Sequence, residues 1–380
     1  MKPLEGIIVL EFAQFMAGPS AGLRLADLGA RVIKIERPVH GEAGRQIALK
    51  NLFLDNSSLV FHTVNRNKES YAADLKSPED LECIKKLIQQ ADVMTHNFRP
   101  GVMEKIGLDY EKVKMINPQM IYATVTGYGT KGPWVKKPGQ DLLIQSMSGF
   151  VNLSGNKNDD PVPVGAAVSD IITGSHLSQG ILAALFKRIK TNQGSWVEVS
   201  LLESTLDLQF ESLTTFLNDG NKKIARAEKG SAQPYLGAPY GVYKTKKGFI
   251  SLAMGSLLKL GEVIGCAEIS IYTNSDAWFT KRNDIMEVLE TFLINKTTQQ
   301  WLDILEPAGI WASAIYNYSE LLEDEGYKIL KMDQKLKLLS GEKVHTLRCP
   351  IRLNDKRIFS ERPAPRVGQH TEDLKKEFNL

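Results

Sequence analysis

The chain has 380 residues, enough for a large core and about two domains of ordinary size. Hydrophobic residues make up 43%, charged residues 24%, and the formal net charge is +3, which is the balance of a soluble globular protein and argues against a nucleic-acid or anionic-membrane partner. Cys83, Cys266 and Cys349 are far apart and odd in number, the histidines form no ligand pair at helical spacing, and no apolar run approaches the ~18 residues of a membrane span, so no disulfide framework, metal site or membrane anchor is expected. "MKPLEGIIVLEF" reads as a strand rather than a signal peptide, and the expected location is a reducing cytoplasm.

In chain order, "GIIVLEF" (6–12) is short, apolar and rich in β-branched residues, which predicts a strand. "AGPSAGLRLADLGA" (17–30) has leucines at helical spacing, and "RVIKIE" (31–36) is a second strand. This βαβ unit implies a parallel sheet with a right-handed crossover. "SPEDLECIKKLIQQ" (77–90) opens with a serine cap and an acidic first turn, hence a helix. "DVMTHN" (92–97) and "MIYATVTGY" (120–128) continue the alternation. "GAAVSDIITGSHLSQGILAALFKR" (165–188) places Ile171, Leu177, Ile181, Leu182 and Leu185 at near-helical spacing, which predicts a buried helix with Asp170 at its N-cap. Asp170 is then either a cap for free backbone N–H groups or an anion held by a helix end, ready to react. "SWVEVSL" (195–201) is a strand, and 202–217 reads as one helix.

The pattern changes near residue 220. "YGVYKTKKGFISLAMG" (240–255) predicts a hairpin around a Lys-Gly turn, and "DIMEVLETFL" and "TTQQWLDILEPAG" predict two helices. The expected organisation is a large α/β domain with a Rossmann-like parallel sheet over 1–220, a smaller α+β domain over 221–330, and a returning segment over 331–380 that packs on the large domain. The tail after 340 is rich in Arg, Pro and Lys, and within it "SERPAPRVGQHTEDL" (360–374) reads as an extended arm wrapped over another surface.

Several segments suggest a ligand site. "QFMAGPSAG" (14–22) leads from a strand into a helix N-terminus, but Gly18, Gly22 and Gly29 do not have the spacing of the G-x-G-x-x-G dinucleotide fingerprint. Arg37 follows the second strand, and "NRNK" (65–68), "NFRPG" (97–101) and Lys105 add cations and amides at further strand ends. Strand ends converge in a parallel sheet, so these groups suit a polyphosphate, with Asn97 and Phe98 suited to a purine. Gln140 and Asp141 stand in a loop entering a helix, and spacing alone does not bring Asp141 to Asp170, 29 residues on.

These pieces together resemble the class III coenzyme A transferases, a family that includes formyl-CoA:oxalate and carnitine CoA-transferases and the α-methylacyl-CoA racemases. The resemblance runs through "VLEFAQFMAGP", "LGARVIKIERP", "NRNKES", "ADLKSPE", "NFRPGVMEKIGLDYE", "YATVTGYGTKGP", "GQDLLIQSMSG", "VGAAVSDIITGSHLSQGILAAL", "QGSWVEVSLLES", "APYGVYKTKKGFISLA" and "PAPRVGQHTEDL". It implies that Asp170 is a nucleophile passing through an anhydride and an aspartyl-CoA thioester, with Gln140 and Asp141 beside it. It also implies that CoA lies on Met16, Ala17, Arg37, Ala73, Asp74, Leu75, Lys76, Asn97, Phe98, Arg99, Lys105 and Lys137. CoA thioester is then a substrate, no other cofactor or metal is required, and the chain is a ring interlocked with a second copy as a homodimer.

Two departures bear on substrate. "EKGSAQPYLGAPYG" (228–241) has no glycine run where oxalate-using members carry one, and Met16 stands where formyl-CoA transferase has Gln. The first weighs against oxalate or formyl substrates, and the second leaves a hydrogen bond to an intermediate or substrate missing or supplied elsewhere. The rival activity is that of a racemase, whose "GHD" supplies a His base. Here the triplet is "GQD", and the Gln140 amide cannot shuttle a proton near neutral pH. A non-catalytic CoA-binding protein would need the phosphate cations but not Asp170.

Overall fold

The β-branched runs at the head of the chain form the middle of a six-stranded sheet in the computed structural model, which describes residues 2–380. Its strands are β1 (Ile8–Glu11), β2 (Arg31–Glu36), β3 (Glu69–Ala72), β4 (Val93–His96), β5 (Ile121–Thr126) and β6 (Ser195–Ser200), in the spatial order β3-β2-β1-β4-β5-β6. Every neighbouring pair is parallel. Both faces are covered, which is why the inner strands read as continuous apolar runs rather than alternating ones. Val9, Val32, Val93 and Ile121 face one core, and Leu10, Ile33, Met94 and Tyr122 face the other.

The helices that position the site are α1 (Ala17–Asp27), α2 (Pro78–Gln90), α3 (Val102–Ile106), α4 (Asp141–Met147) and α5 (Val168–Thr191). Helix α2 starts as its sequence predicts: Ser77 caps it, accepting from the Asp80 N–H, with Pro78 in the first turn. Helix α5 packs against α1 at Gly174, where an added Cβ would lie 2.0 Å from Ser20 Oγ and 2.6 Å from the Ala17 carbonyl oxygen. Only a residue without a side chain lets the two helices come this close.

Residues 2–144, 167–208 and 329–380 group as one unit, and 145–166 with 209–328 as another. Segment 145–166 thus groups away from the residues on either side of it, whereas the sequence reading ran the large domain unbroken to 220. The segment expected as one helix over 202–217 is two, Leu201–Leu208 and Phe210–Asn218, with non-helical Gln209 between them, and the division between units falls there.

The tail holds the expected extended arm over 360–370, which has no regular structure and lies along the large unit, the Asn67 N–H donating to the Arg362 carbonyl (3.0 Å), but regular elements flank it. It forms an antiparallel hairpin of Asp333–Lys337 and Lys343–Leu347 and ends in a helix, Thr371–Phe378, that buries Leu374 and Phe378. Between them it covers the edge strand β3: the His370 N–H donates to the Ser70 carbonyl (3.0 Å), and the Ala72 N–H donates to Thr371 Oγ1 (2.9 Å). Exposed backbone donors and acceptors on a sheet edge invite pairing with another chain, and the tail occupies them.

In the second unit, Gly241–Lys244 and Phe249–Leu252 form the expected hairpin, and Ala312–Ala314 completes a three-stranded antiparallel sheet. Helices Leu257–Ile264, Arg282–Leu293 and Thr298–Leu305 close its core around Tyr243, Ile250, Leu289 and Trp301. Among the described residues no helix is long and apolar enough to cross a membrane.

Candidate active site

In a parallel sheet all carboxyl ends lie at one edge. Along this edge the chain runs from β1 outward to β2 and β3, then returns to the other side of β1 for β4 and β5. The crevice between β1 and β4 is therefore a topological switch point, the place where open α/β sheets bind ligands. The sequence-predicted residues come after strands of this sheet: Met16 and Ala17 follow β1, Arg37 follows β2, Ala73 to Lys76 follow the edge strand β3, Asn97 to Arg99 follow β4, and Lys137 to Asp141 come later, between β5 and the head of α4.

Individually they differ. Arg37, Lys76, Arg99, Lys105 and Lys137 are exposed cations. Arg37 uses Nε to hold the Gly41 carbonyl (2.8 Å), which orients its guanidinium. Ala73 is buried and donates to the Glu36 carbonyl, Leu75 packs on the core, and Asp74 accepts from the Lys76 N–H (3.0 Å) as a turn residue leading to α2. Phe98 stacks on His96, with ring centroids 6.0 Å apart and planes 23° off parallel. Burial lowers the His96 pKa to about 4, so the ring beneath Phe98 is neutral. The Asn97 side chain is committed to the protein: Oδ1 accepts from the Gln14 N–H (2.8 Å) and Nδ2 donates to the Gln14 carbonyl (2.7 Å).

Asp170 does not cap its helix. The N-cap of α5 is Ala167, without a side-chain cap bond, and Asp170 is the third residue of the first turn, beside buried Ser169. The cap comes from elsewhere: Asp141, the first residue of α4, accepts from the Ser169 N–H (2.7 Å) and the Asp170 N–H (3.2 Å) through one carboxylate oxygen. This brings the two aspartates together, which their spacing could not show. Among the described residues, no group hydrogen-bonds to or ion-pairs with the Asp170 carboxylate. Burial, and then the Asp141 charge beside it, raise its pKa from 3.8 to about 7. Gln140 is exposed, and its carbonyl accepts from the Ile144 N–H in the first turn of α4 (3.0 Å).

Sequence reasoning missed a buried ionic network under this edge. Glu11 and Lys34 are register partners across β1 and β2, and both are fully buried. Lys68 Nζ donates to both Glu11 oxygens (2.8 and 2.8 Å), and Lys34 Nζ to one of them (3.1 Å). Burial pushes Lys68 down to about 8 despite Glu11. Burial acts the same way on Lys34, but Glu11, Glu42 and Glu36 outweigh it and its pKa is raised. The signal was present: "IIVLEF" and "RVIKIE" each carry a charge inside a strand whose two faces are covered.

A family profile described as CoA-transferase family III matches residues 4–371. The chain belongs to this family. As a family III CoA-transferase it is an enzyme, and its six-stranded parallel sheet is shared with solved structures of the CaiB/BaiF type. One of these, from Brucella suis, superposes with a TM-score of 0.85 at 30% identity and covers 99% of each chain. Succinate–glutarate CoA-transferase of Agrobacterium fabrum is 32% identical, over 97% of this chain and 94% of that protein. Acetyl-CoA:oxalate CoA-transferase of Acetobacter aceti is 31% identical, over 99% of this chain and 96% of that one.

Proposed function

We propose that the protein moves CoA from a short acyl-CoA to a carboxylic acid through covalent intermediates on Asp170. The Asp170 carboxylate attacks the thioester carbonyl, the C–S bond breaks, and CoA leaves as thiolate from a mixed anhydride. The thiolate then attacks the Asp170 carbonyl and releases the first acid, leaving an aspartyl-CoA thioester. The acceptor carboxylate attacks that thioester, and the returning thiolate takes the new acyl group from the second anhydride. Every bond broken is matched by one of the same type, so no net hydrolysis or redox step occurs. Hydrogen-bond donors for the tetrahedral oxyanions and exclusion of water are what the anhydrides need.

The observation that carries this reading is the unpartnered carboxylate itself. A side chain in the first turn of a helix, with its capping role taken over by Asp141, has no structural duty and a pKa near neutrality. Gln140, an amide, supports transfer over racemisation. Relatives named for succinate with glutarate, and for acetyl-CoA with oxalate, support a short dicarboxylate as acceptor. The lack of a glycine run in 228–241 favours one longer than oxalate, with succinyl-CoA as donor. The working unit in this proposal is an interlocked homodimer. Ile171, Phe186 and Ile189 leave an exposed apolar stripe on α5 that a second copy would cover, and a folded monomer by light scattering on dilution would overturn it.

The test incubates enzyme with acyl-CoA and no acceptor, then adds hydroxylamine. Peptide mass should place a hydroxamate on Asp170. Asp170→Asn should abolish both the adduct and CoA transfer, by several orders of magnitude. Transfer by Asp170→Asn at near wild-type rate would sink the proposal, and rapid α-proton exchange from a 2-methylacyl-CoA in D₂O without transfer would give the racemase reading its place.

A further inference from the structure

Three side chains hold the turn between β1 and α1 by its backbone. Lys34 Nζ donates to the Ala13 carbonyl (2.7 Å). Asn97 takes both the N–H and the carbonyl of Gln14. Glu42 Oε2 accepts from the Phe15 N–H (3.0 Å), and also from the Gly44 N–H (2.7 Å). Phe15 needs such support, since its φ of 65° puts a bulky residue in the left-handed region. Lys34 and Glu42 are buried and face each other at 3.6 Å, so the clamp is continuous with the Glu11–Lys68 pair below. Lys68 in turn donates to the Pro19 carbonyl in the first turn of α1 (2.9 Å).

Helix α1 is shaped to sit on this assembly. A Cβ at Gly22 would lie 1.8 Å from Glu11 Oε2, and one at Gly18 would lie 2.3 Å from Ala13 Cβ. These glycines, which fit no dinucleotide fingerprint, are where the helix meets the ionic network and the turn. Buried charges contribute little net stability compared with apolar residues of the same size. What these ones do instead is fix a turn that has no regular structure of its own.

We propose that Lys34, Glu42 and Asn97 are positioning residues for acyl-CoA: they act through the Ala13–Phe15 turn to set the place of Met16 and Ala17 at the head of α1. The inference rests on the reading that Met16 and Ala17 contact CoA. Asn97 then serves the site through Gln14 rather than by a side-chain bond to the nucleotide. Because α5 crosses α1 at Gly174, one turn beyond Asp170, the same clamp sets the register between bound thioester and nucleophile.

The test uses the full-length enzyme with Glu42→Gln and Asn97→Ala. Glu42→Gln keeps size and one acceptor but removes the charge facing Lys34. Initial rates give kcat/KM separately for acyl-CoA and for the acceptor acid, which reacts with the enzyme already carrying CoA. A positioning role predicts that kcat/KM for acyl-CoA falls about tenfold or more in both variants, while that for the acid stays within about twofold. A purely structural role lowers the active fraction and moves both constants equally, which would overturn the proposal, as would no change in either. If Glu42→Gln does not fold, Asn97→Ala carries the comparison alone. Loss of the reading that Met16 contacts CoA looks different: Met16→Ala would then leave kcat/KM for acyl-CoA unchanged.

Discussion

Asp170→Asn makes a prediction about stability that separates a reactive carboxylate from a capping one. In the folded protein the Asp170 pKa lies at about 7, against 3.8 when unfolded. The folded state therefore binds the proton more tightly. Stability is fully present below the unfolded value and is lost as pH rises through about 7. A displacement of about three pH units at about 1.4 kcal/mol each sets an upper limit of ~4 kcal/mol above pH 8. Partial exposure of Asp170 and solvent screening reduce this to ~2 kcal/mol. Asparagine has no charge to desolvate and no repulsion from Asp141, so the variant should be more stable than wild type by ~2 kcal/mol at pH 8.5 and about equal at pH 4. Urea unfolding at the two pH values measures this difference. A cap-only aspartate predicts the reverse, a loss of ~1 kcal/mol at pH 8.5 on substitution. A variant less stable than wild type at pH 8.5 would refute the account of the site's electrostatics. The same ionisation should appear in catalysis, with wild-type kcat/KM for acyl-CoA falling as pH drops below about 7, because only the anion attacks.

Arg37→Ala should weaken acyl-CoA binding about tenfold or more by calorimetry, since a charge-assisted contact to phosphate contributes ~1.5–3 kcal/mol; unchanged affinity would remove Arg37 from the site. Gly174→Ala gains ~1 kcal/mol of helix propensity, yet its Cβ would sit 2.6 Å from the Ala17 carbonyl oxygen. Overpacking costs of ~1–3 kcal/mol should win, so thermal unfolding should shift down and kcat should fall as α5 moves off α1. A neutral or stabilised variant with normal kcat would show that this crossing does not hold Asp170 in register.

The parts of this fold that were legible share one cause. Strands β1, β2, β4 and β5 are apolar because helices cover both faces, and α2 announces itself through Ser77, Pro78 and Glu79. Strand β3 escaped notice because it is an edge: Glu69 and Ser70 pair with the tail, and Ser70 also donates to Glu36 (2.7 Å), partners that lie far away in sequence. The terminal helix escaped for the opposite reason, since "TEDLKKEF" is mostly charged and only Leu374 and Phe378 are buried. Arg37 and Asn97 could be placed at the carboxyl edge of the sheet by topology, but that Asn97 holds Gln14 could not.

The error over Asp170 shows most about the site. Periodicity locates a helix by its buried face, and that face was read correctly in Leu177, Ile181 and Leu185. The end of a helix is decided by whichever group satisfies its first N–H donors, and that group need not be a neighbour in sequence. Here the carboxylate of Asp141 reaches from the head of α4 to the Ser169 and Asp170 N–H groups. Had Asp170 been the N-cap, N–H groups two and three residues further on would hold its oxygens, lower its pKa and lessen its basicity. Moving the cap to a second aspartate reverses both effects: the N–H groups are satisfied, Asp170 keeps its lone pairs, and the added charge beside it raises its pKa further. In the proposed mechanism, one carboxylate stabilises the helix so that the other can react. Removing Asp141 should therefore lower the Asp170 pKa while loosening the turn that presents it.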